Sequence, residues 1–471
     1  MDGRAVGGRW APRAALTRGR PEKRPRPAAS WGYPRAVRSP FLDTLSRPCT
    51  ALALLVVLLL PACGGAPAPA TATAKDPPAK AAPPPDPMME GLKRALAGKP
   101  NDGVLLSTLA EFSAERGEHT EALGYLERLA ALRWPFAVRE SSFGALRQDP
   151  AFRDVAARIG KNEPVVRRSA PVFTLDELDL VPEGITHDPV TDTFYVGSIR
   201  HRKIVAVGKD GKPRDFVRSA QDDLLSVLGV KVDATRRHLW VASFASKTMK
   251  GFSPAMEGMA ALFQYDLDKG AILRKIVWKR PNEAHLFNDL ALTAAGDVFV
   301  TDSEAGSVLV LRAGKDTLEE VLPAGSFIYP NGIVWVEEGA RLFVAHWRGI
   351  AVVDPKSGDV RPLEAPAGVV LAGIDGLALD GRRLVAVQNG LGRARITRHH
   401  LDEGLSRVVR EEILESGNPL LDGIPTTGVV ARGGFHYLAN SNLRSFDDQG
   451  HPKPGEAPRP SQVLGVPLGD P

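Results

Sequence analysis

Four short polar phrases in this chain have residue types and a spacing that suit coordination chemistry: Pro182-Glu183-Gly184, Phe287-Asn288-Asp289, Pro330-Asn331-Gly332 and Ile374-Asp375-Gly376. Each opens a strand-like run, and about ten residues later a second apolar run follows: Phe194-Tyr195-Val196, Val298-Phe299-Val300, Leu342-Phe343-Val344 and Leu384-Val385-Ala386. Self-similarity at a fixed offset marks a repeat architecture, and an oxygen-bearing side chain at one repeat position gathers ligands around a common axis. Glu183 and Asp375 offer carboxylates, Asn288 and Asn331 offer amide carbonyls, and the set is all-oxygen and doubly negative. That suits a hard divalent cation such as Ca²⁺, which takes about six to eight oxygens. Zinc or copper would ask for imidazole or thiolate, and the repeats supply no such cluster. Asn-Gly and Asp-Gly are also common turn dipeptides, so each phrase alone reads equally well as a turn. The matched offset in four repeats is what raises them to a candidate metal site.

The elements that must position these residues lie beyond about Glu163, where helical signals give way to short β-type runs punctuated by Asp-Gly, Lys-Gly and Gly-Gly turns. Six units follow, at 180–216, 224–278, 285–322, 329–363, 371–414 and from 424 onward, ending in Val463-Leu464-Gly465-Val466. Units of roughly forty residues with several strands predict a mainly β fold, a six-bladed β-propeller over 163–471. Val172-Phe173-Thr174-Leu175 is expected to pair with the last blade and close the ring. At the position of the polar set, the second unit has Val227-Leu228 and the sixth has Thr426, so the polar residues are selective. An insertion at 246–258, with Met249, Phe252 and Met256, reads either as a substrate lid or as an excursion at the rim.

Together, Pro182-Glu183-Gly184-Ile185, Phe287-Asn288-Asp289, Pro330-Asn331-Gly332-Ile333 and Ile374-Asp375-Gly376-Leu377 resemble the SMP-30/gluconolactonase-like superfamily, which includes paraoxonase-type and diisopropyl-fluorophosphatase-type hydrolases. The resemblance covers the C-terminal two-thirds of the chain. It implies a calcium-dependent propeller with Glu183, Asn288, Asn331 and Asp375 as ligands and Asp289 as a further ligand or the active carboxylate. Asp289, beside a ligand, is the expected general base or nucleophile. Two departures stand out: Leu286 replaces the arginine typical of sugar-lactone members, and no counterpart of the paraoxonase histidine dyad is evident. His285 and His346 are the histidines nearest the expected mouth, and Arg348 and Lys247 are loop cations able to face an anionic substrate. The function expected is a calcium-dependent lactonase or esterase acting on a small ester-like molecule. The alternative is a non-catalytic binding or scaffold propeller with a structural metal.

The formal charge of +5 and isoelectric point near 9.1 do not point to nucleic acid, because much of the basic excess precedes Cys49. There Arg47 leads into the apolar run 51–60 and then Leu60-Pro61-Ala62-Cys63-Gly64, which resembles a bacterial lipoprotein signal peptide with Cys63 as the lipidated residue. An ordinary secretory signal or an anchor helix is the other reading. The run is too short for an ordinary spanning helix, so the expected membrane contact is the lipid alone and the expected location is the cell envelope. The organisation is then a targeting segment over 1–62 and a Pro/Ala-rich tether over 63–87. Over 88–162 comes a helical segment in which Leu105, Leu109, Phe112 and Ala122, Tyr125, Leu126, Leu129 recur at helical spacing around Gly117. That pattern resembles a tetratricopeptide-type hairpin. It is expected either to cap its neighbour or to hold a protein partner. Cys49 and Cys63 are the only cysteines, so the body has no disulfide framework or thiolate metal site.

Overall fold

The computed structural model describes residues 87–447, 450–453 and 457–469. The targeting segment, Cys63 and all of the tether but Pro87 lie outside the described residues. Among those described, no helix is long and apolar enough to cross a membrane.

Helices α1 (Pro87–Gly98), α2 (Gly103–Glu115), α3 (His119–Ala131) and α4 (Pro150–Gly160) come first, with a 3-10 segment at Glu140–Gln148. Local chemistry sets their starts. Asp102 accepts from the amides of Val104 and Leu105 at 3.0 and 3.1 Å. Asp149 accepts from the Ala151 amide at 2.8 Å, with Pro150 at the first helical position. Leu106, Leu109, Ala110, Ala122 and Leu126 form a buried core that also takes in Ala372 and Leu391 of the β region. The helical segment therefore shares its core with one blade rather than standing alone.

Six four-stranded antiparallel sheets follow, and they make the six-bladed propeller. Their innermost strands are Pro182–Asp188, Ser226–Asp233, Phe287–Leu292, Ile333–Val336, Ile374–Asp380 and Gly428–Ala431. Each packs against the innermost strand of the next blade, and the last packs against the first. Ring closure is by the predicted device. Ala170–Leu175 is the outer strand of blade 6, paired antiparallel with Ser461–Pro467, so the ring joins one early strand to three late ones.

Crowding at the axis dictates the residue after each motif position. A Cβ on Gly184 would lie 1.8 Å from the Leu228 carbonyl oxygen, and one on Gly332 would lie 2.6 Å from the Leu377 nitrogen. Backbone from the neighbouring blade occupies the volume of a side chain, which only glycine permits. At the opposite end of the first inner strand, buried Asp188 binds Arg237 of blade 2 in a bidentate pair at 2.7 and 2.9 Å. Burial opposes ionisation there, but Arg237, the Thr191 hydroxyl and the Val190 N–H outweigh it and hold the carboxyl at about 2.

Gly184→Ala is expected to cost about 1–3 kcal/mol in urea unfolding, because the carbonyl of Leu228 must retreat; a neutral result would contradict the close approach. Asp188 has a depressed folded pKa, so its stabilisation is present above the ordinary carboxyl range and fades as pH falls from about 4 toward 2. Asp188→Asn should flatten the melting-temperature slope across that window, and an unchanged slope would contradict the pairing.

Candidate metal centre

A β-bulge aims three of the four predicted ligands. In blades 1, 3 and 5 the inner-strand register slips between Pro182 and Ile185, Phe287 and Leu290, and Ile374 and Leu377. Glu183, Asn288 and Asp375 each lie within that slip, where an extra residue re-aims side chains. Blade 2 has the same slip between Val227 and Val230, but places Leu228 there. Asn331 of blade 4 precedes its strand and is held by its backbone, its amide donating to the Ala345 carbonyl at 2.8 Å and its carbonyl accepting from the Thr301 hydroxyl at 2.8 Å.

All four residues line one cavity of about 90 Å³ on the propeller axis. By that volume it has room for an ion and a few waters. Leu228, Phe244, Leu286 and Ile374 make much of the rest of its wall apolar. Asn331 donates its amide nitrogen to Asp375 Oδ1 at 2.6 Å, and Asn288 donates its own to Ser303 Oγ at 3.0 Å. With the nitrogens anchored on protein acceptors, the oxygens are left over. Asn288 Oδ1, Asn331 Oδ1 and Glu183 Oε2 are buried and accept no hydrogen bond. Each buried acceptor left without a partner costs about 1–3 kcal/mol.

The electrostatics run the same way. Burial, then the charges of Asp375 and Asp289, push the Glu183 carboxyl well above its usual range, against a weaker opposing pull from Lys231. Asp375 is pushed up to about 7 by burial and by Asp289, although Asn389 and Asn331 donate to it. The residues present therefore fit a hard cation: three unfilled oxygens from three blades, and two carboxyls that resist ionising until a positive charge arrives.

The structure places Asp289 elsewhere, off the wall of this cavity. Its carboxylate receives Lys231 of blade 2 at 3.2 Å, its own neighbour's Leu290 N–H at 2.8 Å and the Ile333 N–H of blade 4 at 3.3 Å. It stands at the position that is glycine in blades 1, 2, 4 and 5, and its side chain bridges adjacent blades. Asp289 thus ties blades 2, 3 and 4 together behind the cavity.

Of the two histidines, His346 lines the cavity, and burial together with Arg348 lowers its imidazole to about 4. His285 is not on that wall; its Nδ1 is bound to buried Asp302 at 2.6 Å. The insertion turns inward: Met249 is buried, Phe252 and Met256 pack on the core between blades 1 and 2, and Ser246 and Thr248 reach the cavity. Lys247 pairs with Glu257 at 3.1 Å.

Sequence reasoning missed Asn389 and Arg139. Asn389 donates to Asp375 Oδ2 at 2.5 Å and to the Pro425 carbonyl at 2.7 Å. Arg139, buried at the edge of the helical segment, donates to the Asn389 carbonyl. Asn389-Gly390 looks like an ordinary turn in the sequence, and nothing in the helical periodicity singles out Arg139. A separate group, Glu177, Asp179 and His201, brings possible ligand atoms within 4.8 Å of one another. Its carboxylates already hold Lys203 at 2.7 Å, Lys250 at 3.1 Å and Arg200 at 3.2 Å, so it is an ion-pair network.

No family model matches the chain, and no curated protein matches it. Solved structures do match. A gluconolactonase from Xanthomonas campestris is 14% identical over 64% of this chain and 98% of its own, with a TM-score of 0.44. The luciferin-regenerating enzyme is 15% identical over 64% and 96%, with a TM-score of 0.43. The PQQ-bound aldose sugar dehydrogenase of Streptomyces coelicolor is 14% identical over 64% and 97%, with a TM-score of 0.42. The six four-stranded sheets themselves give the blade count.

Proposed function

We propose that this chain is a hydrolase of small ester-like molecules that works with a hard divalent cation, Ca²⁺, held by Glu183, Asn288, Asn331 and Asp375. The observation that carries the reading is the set of three buried oxygens without hydrogen-bond donors, from three blades, on one cavity. The cation supplies Lewis acidity toward an ester carbonyl and acidifies water. The chain's own groups orient and shelter the reaction. Asn389 steadies Asp375 through its amide, and Ser303 steadies Asn288 while its own hydroxyl donates to the Pro330 carbonyl at 2.5 Å. Leu228, Leu286 and Phe244 exclude bulk water from the axis. His346, neutral at neutral pH, is the proton-handling group on the wall. Asp289 is given a supporting role, holding Lys231 and the two inner strands. Leu286 on the cavity wall offers no cation for a sugar acid at that point. The proposed setting is the bacterial cell envelope, on a lipid carried by Cys63, a reading that rests on the signal sequence and is checked by radiolabelled palmitate incorporation lost in Cys63→Ser.

Calcium should raise the melting temperature and EDTA should lower it. In calorimetric titration Asn331→Ala should weaken calcium by about tenfold or more, and Asn389→Ala by about 10–100-fold through the loss of Asp375 orientation. Unchanged affinity in Asn331→Ala would contradict the ligand set. Hydrolysis of a small lactone or aryl ester should vanish with EDTA and return with calcium. In His346→Phe turnover should fall by about 10²-fold or more with calcium affinity retained. Tight calcium binding with no turnover on any such ester would instead favour a propeller whose metal is structural.

A further inference from the structure

Trp347 and Gly390 line the axial cavity and also a much larger chamber of about 950 Å³. Small-molecule sites usually enclose about 300–1,000 Å³. One side of the chamber is made by α2 and the 3-10 segment, through residues such as Glu111, Arg139 and Ser142. The other is made by loops of blade 6 around Asp422, Asn442 and Arg444. The helical segment thus walls the approach to the axis.

Charge is distributed unevenly over this wall. Arg139 is buried, and its guanidinium is lowered to about 10 by that burial and by facing Arg444, with Glu111 and Asp422 compensating in part. The remaining lining cations are Arg147, Lys453 and Arg459, and Glu115 is the only other carboxylate among the described lining residues. No carboxylate pairs with Arg147, Lys453 or Arg459 among the described residues. The axial cavity, by contrast, has no lysine or arginine among its described lining residues. The cations of the space are therefore gathered at its far end, away from the axis.

We propose that this chamber is the substrate-binding site, and that its substrate carries an anionic oxygen-acid group, carboxylate or phosphate, held by Arg147, Lys453 and Arg459 while its neutral end reaches the axis. The helical segment is then part of the binding site. Cations gathered at one end of the chamber orient such a molecule before any chemistry, since a reversed pose carries its anion away from them. The inference rests on the hydrolase reading only for what happens at the neutral end.

Binding is therefore measured without turnover, in EDTA, by calorimetric titration of the full chain with 4-phenylbutyrate, phenyl phosphate and the neutral 4-phenylbutanamide. At least one anion should bind about tenfold or more tighter than the amide, and the preference should shrink as salt is raised. The two anions separate a carboxylate site from a phosphate site. Arg147 and Arg459 are exposed, so the double variant Arg147→Glu, Arg459→Glu should keep its melting temperature and calcium affinity while losing the anion preference. Equal binding of anions and amide by the native chain overturns the proposal, as does a preference that survives charge reversal. Anion preference with no ester hydrolysis would sink the hydrolase reading alone; hydrolysis without anion preference would sink this one alone.

Discussion

Repulsion among buried carboxylates at the propeller axis is the constraint around which the rest of the structure is arranged. Glu183, Asp289 and Asp375 come from three blades, and each adds charge to a space where water cannot screen it. The fold answers them unequally. Asp289 has Lys231 and two backbone N–H groups. Asp375 has the amides of Asn331 and Asn389. Glu183 keeps a buried oxygen with no donor at all. Removing one charge from such a group leaves the others easier to ionise, and adding a cation satisfies all of them together.

That arrangement is held by backbone as much as by side chains. The bulges in blades 1, 3 and 5 turn one residue of each inner strand toward the axis, while the closed ring of inner strands fixes how near the axis they come. Thr426 and Thr427 of blade 6 both donate to the Glu183 carbonyl, at 2.9 and 2.6 Å, so a blade with no candidate ligand anchors one that has it. Blades that contribute no oxygen still set the geometry of those that do.

The helical segment belongs to the same system. Ala137 accepts from the Arg393 N–H at 2.8 Å, and the Arg395 guanidinium lies 3.9 Å over the Phe136 ring. Beside this seam Arg139 reaches the Asn389 carbonyl, and Asn389 reaches Asp375. A chain of two hydrogen bonds thus runs from the helical cap to a candidate ligand. The apolar face of the helices is spent on their own core and on Ala372 and Leu391 of blade 5, and most of the side chains they present to the larger chamber are polar.

The six units, the closing strand and the convergence of Glu183, Asn288, Asn331 and Asp375 were legible in the linear chain, because strand periodicity and a repeated offset are local properties that repetition amplifies. The neighbour of Asn288 was not legible. Asp289 beside a ligand looks reactive in one dimension, yet the strand turns its carboxylate toward Lys231 and Ile333, partners 58 and 44 residues away in the chain. Nor was Asn389 legible, since Asn-Gly spells a turn whether or not its amide reaches a buried carboxylate. The sequence by itself determined which residues stand at the start of each inner strand. Only the tertiary structure decided which of their oxygens were already taken, because hydrogen-bond partners at the axis come from other blades and from the helical cap, at separations that carry no periodic signal.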